Sequence, residues 1–192
     1  MIKKLVLMLA LVMLAAQSAY AAPDRVGKTD IGLSVAAAIP DADDSDTAAY
    51  VGGSFAYGVQ SWLALGASIG WAEFEESASG IEIEERAVPI FADIIFRVPA
   101  TEAQAQPYAV LGLGAIVWDA DINVANVDTD IDTAFAAKLG AGLDWFMNEN
   151  WILNLEASYV FSDTEATVTN TSTGASISAE GETDFWMVGG AL

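Results

Sequence analysis

Five charged residues could carry chemistry inside whatever this chain folds into: Lys138, Glu156, Asp144, Asp93 and Arg97. Each lies in an alternating stretch, on the face opposite its main apolar set, although Asp93 and Arg97 share theirs with Phe91 and Ile95. Opposed charges in so narrow a space can pair and satisfy one another, or line a path that conducts ions through a gate. The expected role is the first, a structural network in a crowded lumen. Catalysis is not expected. The chain has neither histidine nor cysteine, so Ser-His-Asp and Cys-His arrangements cannot be built. Carboxylates alone could serve as acid and base, but most acids fall between the alternating stretches, with no concave site to perturb them.

Metal and phosphate chemistry has little to rest on. Asp128, Asp130 and Asp132 are spaced like the opening of an EF-hand loop, but Thr133 stands where glycine is needed and Leu139 where a bidentate glutamate is needed. Gly112-Leu113-Gly114 and Gly140-Ala141-Gly142 open no helix, so they read as relief of crowding rather than as phosphate loops. No cofactor is expected. A diffuse interaction remains: divalent cations condensing on clustered acids, weakly and through many carboxylates.

The elements that must position these side chains are strands. From 134 to 161, Phe135, Leu139, Ala141, Leu143 and Trp145 alternate with Ala136, Lys138, Gly140, Gly142 and Asp144. Met147-Asn148-Glu149-Asn150 reverses the chain, and Trp151, Leu153, Leu155, Ala157, Tyr159 and Phe161 then alternate with Ile152, Asn154, Glu156 and Ser158. This is a hairpin with one apolar face ending in aromatics and one face of charges and glycines. The glycine-bearing charged face suits a narrow interior, and the apolar face suits lipid. Similar alternation predicts strands over 28–39, 49–59, 62–74, 87–98, 108–118 and 183–192. The fourth contains Pro89, for which a bulge is expected. A tight turn is expected at Gly58-Val59-Gln60-Ser61 and a turn from Pro99 to Pro107.

That gives eight strands, an antiparallel up-and-down barrel. The segments near 41–47, 73–86, 119–132 and 162–184 are longer or acidic and hold 20 of the 27 acidic residues. Alternate connections of such a barrel lie at one end, so the charge gathers on a single rim of loops. Lys3 and Lys4, the apolar run from Leu5 to Ala16, and Ala19-Tyr20-Ala21 make residues 1–21 a cleavable signal peptide, leaving 22–192 as one domain. Removing Lys3 and Lys4 takes the formal charge from −20 to −22. A chain 54% hydrophobic, with mean hydropathy +0.39, reconciles with that charge only if apolar and charged surfaces are segregated. So anionic a chain repels nucleic acid, and without cysteine it gains no disulfide.

PYAVLGLGA at 107–115, KLGAGLDWFMNENWILNLEASYVF at 138–161 and the preceding signal resemble the small outer-membrane β-barrel proteins, the group of the outer membrane protein A transmembrane domain and of outer membrane protein X. The resemblance covers the whole of 22–192. It implies an eight-stranded transmembrane barrel in a Gram-negative outer membrane, exported through the periplasm and inserted by the barrel-assembly machinery. Outer-membrane lipid and lipopolysaccharide become the expected surroundings, and a monomer the expected state. It does not fix a function, because such barrels serve as anchors, adhesins, pores and enzymes. The family usually ends on an aromatic residue read by the assembly machinery, whereas this sequence ends Gly189-Gly190-Ala191-Leu192. That departure is consistent with a sequence stopping a few residues short. The reading taken forward is a non-enzymatic barrel with a structural or surface-interaction role. A narrow porin or channel for small hydrophobic molecules, as outer membrane protein W relatives are thought to be, is the first alternative. A soluble periplasmic barrel of lipocalin type is the second.

Overall fold

Alternation with period two becomes ten β-strands in the computed structural model, which describes residues 24–41, 47–78, 81–99, 104–122, 127–170 and 175–192. In chain order they are β1 Thr29–Pro40, β2 Ala48–Gln60, β3 Leu63–Ala78, β4 Ile81–Arg97, β5 Ala105–Ile122, β6 Val127–Ile131, β7 Ala134–Phe146, β8 Ile152–Asn170, β9 Ala175–Glu182 and β10 Phe185–Ala191. The expected signal segment and Asp43, Asp44 and Asp46 lie outside the described residues. Eight strands pair antiparallel around a closed ring, β1-β2-β3-β4-β5-β7-β8-β10, with β10 returning to β1. β6 and β9 are the outer ends of the sixth and eighth barrel strands, each pairing with the far half of β8.

The wall divides by parity. Outward side chains such as Leu33, Ile69, Leu113, Leu139 and Leu155 are about half exposed or more. A soluble protein does not carry an apolar surface of that extent around its whole girth. Aromatics mark its two margins. Trp62 stacks on Phe96 at 6.3 Å near the short turns, and Tyr159 packs edge-on against Phe161 and Trp186 at 4.7 and 5.0 Å near the long hairpins. Leu143 keeps outward parity between Pro107 and Leu155, but at 5% exposure it is covered, contrary to the expectation of a freely lipid-facing side chain.

Several expected boundaries move. Pro89 needs no bulge: it pairs with Ile116 inside an unbroken β4–β5 register, and only the ladder to β3 is interrupted opposite it. The register shift lies at Gly58/Gln60 instead, with the reversal at Ser61–Trp62. Pro107 is part of β5, where its carbonyl accepts from the Val98 amide at 2.9 Å. At the third short reversal Asn148 Oδ1 accepts from the amides of Asn150 and Trp151, closing the turn as the short polar run requires.

The largest correction concerns the acidic segments. Much of 73–86, 119–132 and 162–184 is strand rather than loop. β3, β4, β5 and β8 contain 16, 17, 18 and 19 residues, well beyond the ~10 a tilted strand needs to cross a bilayer. The barrel therefore continues as hairpins past its apolar band. Thr167 and Thr169 share hydroxyl hydrogen bonds with Ser178 and Ser176 across β8 and β9, at 2.8 and 3.0 Å.

Candidate functional site

The inward face is layered. Toward the long hairpins it is apolar: Phe74 lies against Trp118 and Phe185, both at 6.1 Å, with Phe91, Ile116, Val160 and Met187 in the same buried cluster. Toward the short turns it is ionic. Sequence parity had picked out the charges but not this apolar upper half.

The middle layer shows why the small residues stand where they do. Asp93 on β4, Gly112 on β5 and Lys138 on β7 occupy one row across three strands. With no side chain on Gly112, the two charges meet above it, Lys138 Nζ standing 2.9 Å from Asp93 Oδ1. A Cβ on Gly112 would lie 2.6 Å from that oxygen and 3.0 Å from Lys138 Cε. Ser68 Oγ bridges the pair, donating to Asp93 Oδ2 at 2.8 Å and accepting from Lys138 Nζ at 3.2 Å. The Lys138 ammonium also sits 5.1 Å from the centre of the Phe91 ring. A second row repeats the device: Arg97, Tyr108, Gly142 and Glu156 lie side by side on β4, β5, β7 and β8, and Tyr108 donates across Gly142 to Glu156 Oε2 at 2.7 Å. Asn154 then donates to Tyr108 Oη at 2.7 Å and to Asp144 Oδ1 at 2.8 Å.

Lys138 and Glu156 are thus not partners, although their strands are neighbours. Lys138 faces Val160 and Glu156 faces Gly142, four residues apart along the ladder, or about 13 Å at ~3.3 Å per residue. Replacing Lys138 by alanine is expected to couple to Asp93→Ala, by roughly 1–3 kcal/mol in a double-mutant cycle, and to be additive with Glu156→Ala. Strong coupling to Glu156 instead would contradict this pairing.

The floor contains a residue that sequence reasoning missed. Arg25 is 7% exposed, and its Nη1 donates to Asp144 Oδ2 at 2.6 Å while Nη2 donates to Asp30. Arg97 Nη2 donates to the same Asp30 carboxylate at 3.3 Å, and its Nε lies 3.7 Å from Asp144 Oδ2. Two arginines and two aspartates therefore alternate in a closed ring across the lumen. A signal for Arg25 did exist. Asp30, Asp93, Asp144 and Glu156 share inward parity with only Lys138 and Arg97, so further positive charge had to come from outside the strands.

Between floor and apolar cluster is a cavity of about 100 Å³ whose lining includes Tyr50, Ser68, Asp93, Lys138, Glu156 and Ser158. Among the described residues, no group of three or more acidic side chains stands close enough to hold a metal ion. The Asp128–Asp132 segment is largely strand β6, hydrogen-bonded along β8, and not a coiled loop.

A closed antiparallel ring with an apolar outer band, aromatic margins and an ionic lumen is a transmembrane β-barrel. Residues 7–180 match the family model described as the outer membrane protein beta-barrel domain, and the chain belongs to that family of the bacterial outer membrane. Its fold is similar to that of OprG from Pseudomonas aeruginosa, with a TM-score of 0.66 at 15% identity, covering 87% of this chain and 95% of that one. AlkL in lipid bilayers gives 0.59 at 21% identity over 91% and 92%, and Neisserial surface protein A 0.52 at 15% over 85% and 96%. No curated protein sequence matches the chain.

Proposed function

We propose that this barrel is a non-enzymatic structural protein that holds acidic β-hairpins at the cell surface and is closed to bulk flow. The observation carrying this reading is that the lumen is crossed by the Lys138–Asp93 pair and, below it, by the ring of Arg25, Asp30, Arg97 and Asp144. The short turns at the ring end support a periplasmic position for the ring, with the long hairpins outside. Lys138, Glu156, Asp144, Asp93 and Arg97 then serve as the structural network of the lumen. The lack of histidine and cysteine supports a role without catalysis. Residues 1–21 act as the export signal, and the assembly machinery inserts the chain as a monomer. The dense acids of the hairpins favour divalent cations bridging them to lipopolysaccharide phosphates.

Planar-bilayer recording tests the reading. The wild-type protein is expected to show no steady conductance, and a stable, large channel would overturn it in favour of a porin. One observation favours a second reading, uptake of small hydrophobic molecules: the outer half of the lumen is lined by Phe74, Phe91, Trp118, Phe185 and Met187. A water-soluble bromoalkane would then quench Trp118 in a variant keeping only that tryptophan, whereas a sealed apolar cluster would leave it bright.

A further inference from the structure

Arg97 belongs to the barrel wall, but Arg25 does not. It comes from the lead-in Asp24–Lys28, which forms no strand and folds back beneath the periplasmic mouth. Gly27, at φ +73°, makes this possible, because the chain doubles back through a conformation that glycine adopts without strain. Three backbone hydrogen bonds hold the segment: Lys28 to the Arg25 carbonyl at 3.1 Å, Gly27 to the Gly58 carbonyl at 2.8 Å, and Gly58 to the Lys28 carbonyl at 3.0 Å. Every group that grips the Arg25 side chain, by contrast, sits on the wall. Asp30 is on β1; Asp144 and Phe146 are on β7, with the Phe146 ring centre 5.7 Å from the guanidinium carbon.

The grip is specific in shape. Nη1 reaches Asp144 and Nη2 reaches Asp30, so a planar fork spans two carboxylates while its central carbon stands over an aromatic ring. A lysine ammonium, a point charge, could not bridge them in that way. We propose that Asp30, Asp144 and Phe146 form a guanidinium-binding site, and that Arg25 fills it in cis as a removable stopper of the periplasmic mouth. Releasing it breaks three backbone hydrogen bonds and two ion pairs and leaves the barrel ladders intact. Among the described residues the vacated mouth is anionic, with Asp30, Asp144 and Glu156 set against Arg97. A guanidinium from solution then takes the place of Arg25, while the Lys138–Asp93 pair still crosses the lumen above it.

Protein purified from the outer membrane and held in detergent micelles tests this by calorimetric titration. Arg25→Ala is expected to bind methylguanidinium, which the wild type, its site occupied, does not. Methylammonium should bind at least about tenfold more weakly. Gly58→Ala provides a second route, because its Cβ would press on the Arg25 carbonyl and displace the segment with Arg25 unchanged. It should bind methylguanidinium likewise. Hydrogen exchange supplies a readout free of added ligand: the Gly27 and Gly58 amides should exchange faster in Arg25→Ala, with the β1–β2 ladder unaffected. Folded Arg25→Ala and Gly58→Ala proteins that bind methylguanidinium no better than the wild type, with those amides as protected as the ladder, would overturn the stopper. Methylammonium binding as tightly as methylguanidinium would overturn the guanidinium site.

Discussion

Arginine at Leu155 is expected to lower the stability of the barrel in lipid by roughly 2–4 kcal/mol, the cost of a cation near the middle of the apolar band. Leu155 is 48% exposed on the outer face of β8, paired with Leu143 on one side and Gly190 on the other. No acid shares its face nearby, and hydrocarbon offers the guanidinium no hydrogen bonds. Ser158 provides the contrast, three residues along the same strand but inward and 1% exposed. Its hydroxyl makes no hydrogen bond, so Ser158→Ala removes an unsatisfied group and should change stability by less than about 1 kcal/mol. Refolding titrations into lipid vesicles measure both. A reversed order of costs would turn the wall inside out.

Removing the Asp144 carboxylate should be at least as damaging, by about 3–5 kcal/mol, because stripping one partner from a buried pair leaves an uncompensated charge. Here two guanidiniums lose a partner at once, Arg25 at 2.6 Å and Arg97 at 3.7 Å. Asn154 also loses the acceptor of one of its amide hydrogens. Asp144→Ala in the same vesicle assay is the variant to measure, beside Asp132→Ala. Asp132 is exposed at the base of an outer hairpin, where a change usually stays within ~0.5 kcal/mol. Because the Asp144 site is buried, raising the salt should do little to its loss. Equal costs at the two positions would mean that the ring across the floor contributes nothing.

The architecture was legible because a barrel wall is the simplest pattern a sequence can carry. Leu139, Leu143 and Trp145 against Lys138, Gly142 and Asp144 fixes which way each side chain points, and the short polar turn fixes the register. Pairing inside the lumen was not legible to the same degree. Which charge meets which depends on rows that cross several strands, so Lys138 reaches Asp93 over Gly112 and passes Glu156 by. The outer hairpins look like loops in the sequence because their acids mask their alternation. Ile81-Glu82-Ile83-Glu84 repeats with period two as plainly as the wall does, and it is strand. Arg25 had no pattern to betray it. A single residue in a short irregular lead-in is placed by tertiary contacts alone, and only the excess of inward acids pointed to it.

The most direct test of the inside and outside assignment uses tryptophans already in the wall. Trp71 points outward and is 50% exposed, whereas Trp118 points inward and is 8% exposed. Two single-tryptophan proteins, one keeping Trp71 and the other Trp118, are refolded into vesicles whose acyl chains carry bromine. Trp71 fluorescence should be strongly quenched and Trp118 fluorescence left nearly unchanged. Quenching of Trp118 with Trp71 untouched would contradict a lipid-facing outer wall and leave a barrel with its faces exchanged.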